Sequence, residues 1–307
     1  MVLPQVAVVF ALLLVAAVGH PTGVAVDRNP SVVPLFPTTI SHAVVIVLEN
    51  SEAANTLAKG PFLDYLATHY AYASQDYAVC HPSAPNYLAL TSGATFSQCG
   101  TDTYHVFAAT NIADELEAKS LTWGTFQESM LLPCDIVSTY PYAVKHDPFV
   151  FYKDIVSNTT RCDSHVLNFK AWNSDVNKSA IPNYAFITPN LKDDGHDTNV
   201  SYASNWLHGF LTPLVNKTWF AHTAFFIVYD EGTSNLGAGN SATGTTNTTG
   251  GGHIYFSVVS PLSVGVGNIT NRTTHYSILT TIEWLLGISS TGHHDKASLW
   301  PPLKSAL

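Results

Sequence analysis

Two runs of this chain, HAVVIVLEN (42–50) and FFIVYDE (225–231), constrain its fold more than any other feature. Each is continuously apolar and rich in β-branched or aromatic residues, and each ends abruptly in polar groups. A strand with one solvated face would alternate polar and apolar residues. An unbroken run fits a strand buried on both faces, the usual state of a parallel strand covered by helices. NYAFITPN (183–190), which leads into DDGHD, and IYFSVVSP (254–261), preceded by His253, repeat the design. Helical patterns lie between these runs, at roughly 61–70, 86–92, 111–119, 202–215 and 275–286. The last, HYSILTTIEWLLG, has helical apolar spacing and a glycine stop. Strands alternating with helices predict an α/β fold with a mostly parallel central sheet and helices on both faces. Ligands of such sheets bind beyond the carboxyl ends of the strands. Three of those ends carry polar clusters here: Glu49-Asn50, the 193–197 loop, and Asp230-Glu231.

Each cluster has a chemistry to offer. Carboxylate and amide oxygens suit hard divalent cations such as Ca²⁺, Mg²⁺ or Mn²⁺, so Glu49, Asn50, Asp230 and Glu231 are candidate metal ligands. In CHPSAPNYLALTSG (80–93), Pro82 and Pro85 bracket Ser83 just ahead of an apolar helical segment. A helix N-terminus offers free N–H groups and a favourable dipole to an anion. A serine there can attack phosphorus, or it can simply cap the helix. Asn86 can turn its amide toward a phosphate oxygen, and His81, which flanks the same motif, is a further candidate for binding substrate. In DDGHD, His196 can protonate a leaving alkoxide or bind a metal with Asp193, Asp194 or Asp197 as partner, or the segment can be a plain Asp-Gly turn. His253 can reach a phosphate oxygen or lie on the surface; His275 is a secondary candidate, and His293-His294 read as surface residues.

Composition narrows the partners. Only 11% of residues are charged, the formal charge is −9, and no Lys/Arg run occurs. Nucleic-acid binding by phosphate neutralisation is therefore not expected. Seven N-x-S/T triplets, at Asn158, Asn177, Asn199, Asn216, Asn247, Asn268 and Asn271, would let N-glycans solubilise so charge-poor a surface. Val6 to Val18 is an apolar run too short to span a bilayer, and Ala17-Val18-Gly19 offers a cleavage site, so residues 1–19 read as a secretory signal peptide. No second apolar stretch reaches membrane-spanning length. Four cysteines and no metal-binding spacing suggest two disulfides in a secreted chain. Three connectivities are open; pairing between sequence neighbours, Cys80–Cys99 and Cys134–Cys162, is the working choice. Residues 232–252, rich in Gly, Ser, Thr and Asn, read as a long exposed loop.

LEN (48–50), HPSAPNYLALTSG (81–93), PNLKDDGHD (189–197), YDEG (229–232), HIYFSVVSP (253–261) and HYSILTTIE (275–283) together resemble the phosphoesterase family of fungal and bacterial acid phosphatases and non-specific phospholipases C. The length and sequons look most like the fungal acid phosphatases. The resemblance implies one phosphoesterase domain over 20–307 with an alkaline-phosphatase-like α/β/α sandwich. It implies a metal held by Glu49, Asn50, Ser83, Asp230 and Glu231, with Ser83 also the nucleophile. It assigns Asn86 to phosphate, and His196 and His253 to phosphate binding or leaving-group protonation. The chain departs from the phospholipase C members twice. It reads ENSEAAN where they carry ENRSFDH, and a Gly/Thr loop follows its DE where they carry a Gly-Phe-x-Asp-His element. The expectation is a secreted phosphomonoesterase acting on small phosphate esters in acid, where a phosphate monoanion and a protonated histidine prevail. A diesterase acting on lipid head groups and a non-catalytic metal-binding glycoprotein are the alternatives.

Overall fold

The computed structural model describes residues 39–237, 250–296 and 302–307. The predicted signal segment and the sequon at Asn247 lie outside these residues. In chain order the strands are β1 (His42–Leu48), β2 (Ala71–Ala73), β3 (Asp76–Tyr77), β4 (Trp123–Gln127), β5 (Val166–Asn168), β6 (Tyr184–Thr188), β7 (Thr223–Tyr229), β8 (His253–Ile254), β9 (Phe256–Val259), β10 (Gly267–Ile269) and β11 (Thr273–Thr274). The α-helices are α1 (Ala53–Lys59), α2 (Pro61–His69), α3 (Ala84–Ser92), α4 (Ile112–Ala118), α5 (Lys153–Val156), α6 (Thr159–His165), α7 (Phe169–Lys178), α8 (Val200–Leu211) and α9 (His275–Leu286).

The main sheet runs β10-β2-β9-β7-β1-β6-β4-β5, and a small sheet runs β11-β3-β8. In the main sheet β9 alone opposes its neighbours, β2 and β7; the other pairs are parallel. The fold is thus α/β with a mostly parallel sheet. The run at 254–261, which looks like the parallel strands in sequence, supplies the reversed one. A parallel neighbour needs a crossover, usually helical, and the Gly/Thr segment between β7 and β9 carries no helix pattern.

The predicted burial of the central strands holds: Ala43 to Leu48 in β1 and every residue of β6 and β7 are buried. Register then decides where the site lies. Leu48 pairs with Tyr229, and Ile46 with Ile187, so these three strands end level. Three backbone bonds carry the alignment past the strand tips: Asp230 N–H to Leu48 O (3.0 Å), Glu49 N–H to Asp194 O (3.0 Å) and Ser51 N–H to Glu231 O (3.1 Å). The three polar clusters therefore meet at one edge. Helix α3 comes to the same edge; all its residues are buried, and Gly93 ends it in the left-handed conformation that glycine adopts readily. Disulfides join Cys80 to Cys99 and Cys134 to Cys162, the sequence-neighbour pairing. Among the described residues, no helix is long and apolar enough to cross a membrane.

Candidate active site at the strand tips

Ser83 stands at the N-terminus of α3, 2% exposed, and its side chain makes no capping bond. Its Oγ–H points instead to Glu231 Oε1 at 3.4 Å. The N–H that follows it, on Ala84, donates to Asp102 Oδ1 (2.9 Å), whose other oxygen takes Lys145 Nζ (3.1 Å). An anion thus already occupies the helix mouth, as the dipole favours. Burial lowers Lys145, but the Glu49, Asp102 and Asp230 charges outweigh it and keep the ammonium ionised.

Glu231 is the hub of one half of the site. Its Oε1 also accepts from Asn50 Nδ2 (3.2 Å), and its Oε2 is bonded to His81 Nδ1. The His81 Nε2 lies 2.9 Å from Ser234 O. Burial raises Glu231 above the usual carboxylate range, and the His81 contact opposes this.

Glu49 is the hub of the other half. Its Oε1 lies 2.7 Å from His146 Nε2 and its Oε2 3.8 Å from His196 Nε2; His146 Nδ1 lies 3.7 Å from Asp194 Oδ2. His146 is 2% exposed and stacks on Tyr87 of α3, with ring centroids 5.1 Å apart. Burial alone would raise Glu49, but His146 and a hydrogen bond from Asp230 hold it well below the usual carboxylate range. Asp230 moves the other way, pushed well up by burial and by the Glu49 charge. Asp194 is pushed up to about 9 by burial and the same charge. Among the described residues neither Asp230 oxygen has a donor in good hydrogen-bond geometry, although the Glu231 N–H lies close enough to oppose the shift. Glu49 and Asp230 are thus shifted in opposite directions, as in a buried pair that shares one proton, and a divalent cation would satisfy such a pair in that proton's place. Glu49, His146 and Asp194 offer ligand atoms within 4.8 Å of one another, a possible metal-binding triad. Carboxylates with one imidazole suit a hard or borderline divalent ion. His275 supports the cluster from behind, its Nε2 2.6 Å from Asp230 O; burial lowers its pKa to about 4, so the ring is neutral and donates.

The structure thus brings together Glu49, Asn50, His81, Ser83, His196, Asp230 and Glu231. It gives two expected phosphate ligands other partners. The Asn86 amide donates to Cys80 O (2.6 Å) and Pro82 O (3.2 Å) and accepts from Val79 and Cys80 N–H, so both its hydrogens are spent shaping the turn before Ser83. The His253 ring stacks on Tyr77 and directs Nε2 to Ser74 O (2.8 Å), within the small sheet. His146, Lys145 and Asp102 also belong to the site and carry no mark of it in the sequence. Lys145 and His146 come from a short 3₁₀ turn and Asp102 from a loop, where neither periodicity nor a strand tip marks them. Gly195 explains the spacing of DDGHD: its φ is +105°, and a Cβ there would sit 2.7 Å from Glu49 O.

The model of the phosphoesterase family matches residues 53–289. The chain belongs to the phosphoesterase family. It is 30% identical over 266 residues to an acid phosphatase of Aspergillus niger, covering 84% of this chain and 61% of that protein. It is 33% identical over 180 residues to an acid phosphatase of Aspergillus fumigatus, covering 55% and 40%. It is 28% identical over 269 residues to a phosphatidylinositol-3-phosphatase of Mycobacterium tuberculosis, covering 86% and 82%. The chain spans about half the length of the fungal relatives it matches, from 40% to 61%. In fold it is similar to the lipoteichoic acid synthase LtaP of Listeria monocytogenes (TM-score 0.56, 13% identity, 89% of this chain and 79% of that one). It is similar also to an alkaline phosphatase superfamily protein of Vibrio parahaemolyticus (TM-score 0.55, 13% identity, 87% and 74%). The fold is that of the alkaline phosphatase superfamily.

Proposed function

We propose that this phosphoesterase is a secreted, metal-dependent phosphatase that hydrolyses small phosphate monoesters through Ser83. One observation carries the reading: a buried serine hydroxyl, free of any capping bond, is aimed at a carboxylate beside a cluster of buried acids with too few donors to satisfy their oxygens. The Ser83 Oγ attacks phosphorus in line, and its proton passes to Glu231 Oε1. The bond from phosphorus to the ester oxygen breaks, and the departing alkoxide takes a proton from His196, whose Nδ1 is held 2.7 Å from Asp197 Oδ1. Water then attacks the phosphoseryl phosphorus and gives up a proton to His196, the Ser83 oxygen leaves, and Glu231 returns its proton to it, which restores both groups. Inorganic phosphate is released. Glu49, Asp230, Asp194 and His146 would hold the cation, with Asn50, Ser83 and Glu231 flanking it. Such an ion, Ca²⁺, Mg²⁺ or Mn²⁺, supplies charge for a phosphoryl oxygen and lowers the serine pKa.

The acid phosphatase relatives support the substrate class. Secretion and N-glycosylation rest on the N-terminal sequence and on exposure: Asn158, Asn177, Asn199, Asn216, Asn268 and Asn271 are all exposed. The test of mechanism is turnover of p-nitrophenyl phosphate by wild type, by Ser83→Ala and by chelator-treated protein with each ion added back. A loss of at least about 10³-fold is expected in Ser83→Ala. Normal turnover by that variant would refute the mechanism.

A further inference from the structure

Glu52 follows Glu49-Asn50 closely in the chain and stands at the N-cap of α1, yet its side chain does not cap that helix. It reaches across to the segment after Glu231. Its Oε1 accepts from Thr233 N–H (2.9 Å) and Ser234 N–H (2.8 Å), and its Oε2 from His253 N–H (3.1 Å). One carboxylate therefore holds both ends of the 232–252 stretch. The backbone is cut to fit it. A Cβ on Gly232 would lie 2.4 Å from Glu52 Oε1, and a Cβ on Gly252 would lie 2.7 Å from the same atom. The two glycines also touch each other, and Gly232 N–H donates to Gly251 O (2.6 Å).

The clasp leads back to the nucleophile. Ser234, whose N–H Glu52 binds, presents its carbonyl to His81 Nε2. The other His81 nitrogen is bonded to Glu231 Oε2, and Glu231 Oε1 receives the Ser83 hydroxyl. We infer that Glu52 is a positioning residue, which sets the Ser234 carbonyl that orients His81 and so aims Glu231 at Ser83. Among the described residues the Glu52 carboxylate touches neither the Ser83 hydroxyl nor the acid cluster around Glu49; its hydrogen-bond partners there are backbone N–H groups. Its effect on catalysis runs through geometry, where a displacement of about 1 Å costs up to about 10²-fold. This inference rests on the proposed role of Ser83 and Glu231.

The experiment uses the full chain with Glu52→Ala and Glu52→Gln. The glutamine keeps Oε1 for Thr233 and Ser234 and loses only the acceptor facing His253. Steady-state kinetics with p-nitrophenyl phosphate should show kcat down about 10- to 100-fold in Glu52→Ala, KM within about threefold, and most of kcat restored in Glu52→Gln. The second readout is the His81 ring N–H resonance of histidine-labelled protein, assigned with His81→Asn. It should move or vanish in Glu52→Ala and persist in Glu52→Gln. A folded Glu52→Ala with wild-type kcat overturns the inference. So does an unmoved His81 resonance, or equal losses in both variants. If no phosphate ester is turned over at all, the proposed function falls, and the His81 resonance alone decides whether Glu52 orients that ring.

Discussion

Replacing Glu283 with glutamine should stabilise this protein at neutral pH and leave it nearly unchanged in acid. Glu283 lies on α9, 4% exposed, against Asp295, which is fully buried. Burial, then the hydrogen bond to Asp295 and its charge, pushes the Glu283 carboxyl from 4.5 up to about 10. Burial would raise Asp295 too, but hydrogen bonds from Glu283 and Thr291 hold it below its usual 3.8. The folded protein therefore keeps a proton on Glu283 and a charge on Asp295. The Glu283 contribution is fully present below pH 4.5 and is lost progressively as pH rises toward 10. The loss is about 1.4 kcal/mol per pH unit, hence about 4 kcal/mol by pH 7.5 at most. A glutamine amide donates to Asp295 without needing a proton, and its oxygen can still accept the Thr291 N–H now 3.3 Å from Glu283 Oε1. Thermal midpoints followed by circular dichroism should differ little between wild type and Glu283→Gln at pH 4.5. At pH 7.5 the variant should melt about 5–10 °C higher, equivalent to about 2–4 kcal/mol. Equal destabilisation at both pH values would show that no proton is shared between these side chains.

Two further outcomes test the site and the surface. Gly195→Ala combines a strained φ with a Cβ pressed on Glu49 O; it should cost at least about 1–3 kcal/mol and lower phosphatase turnover, and a variant matching wild type in both melting and kcat would contradict the packing described. If the protein is recovered from the medium of a eukaryotic host, peptide N-glycosidase should remove mass and leave deamidated residues at one or more of the six exposed sequon asparagines; an unglycosylated product would leave the charge-poor surface unexplained.

The parts of the fold that sequence made legible are those where one physical demand dominates. β1, β6 and β7 are buried on both faces, so their apolar runs are unbroken and their ends fall close to the predicted positions. β4, WGTFQ, is just as buried, but Gly124, Thr125 and Gln127 dilute the signal. Gln127 is tolerated because its amide donates to the Thr125 hydroxyl on its own strand and to the Thr188 hydroxyl on β6, which register places opposite it. Helix α7, FKAWNSDVNK, buries only Trp172 and Val176 and reads as polar. In the site the same division holds. Acids at strand tips were readable. His146 was not, because it reaches the cluster from a short 3₁₀ turn. The two departures from the phospholipase pattern, ENSEAAN and the Gly/Thr loop, look unrelated in sequence. The Glu52 carboxylate joins them, and no spacing rule could have shown that.

The energetics of the strand tips argue for a ligand independently of any relative. Glu49, Asp194 and Asp230 are each at most 2% exposed. Burying an ionised carboxylate without compensation costs several kcal/mol, and one imidazole, one partly exposed ammonium and the His196 N–H at Asp194 do not balance three charges. Without a cation the deficit would be met by protons on Asp194 and Asp230, whose carboxyl pKa values are both raised. A chain serving stability alone would place apolar residues there, as it does one residue earlier on β1 and β7 with Leu48 and Tyr229. The sheet instead delivers acids level with each other, beside an uncapped serine. That placement is costly in the free protein and becomes favourable once a cation binds between them.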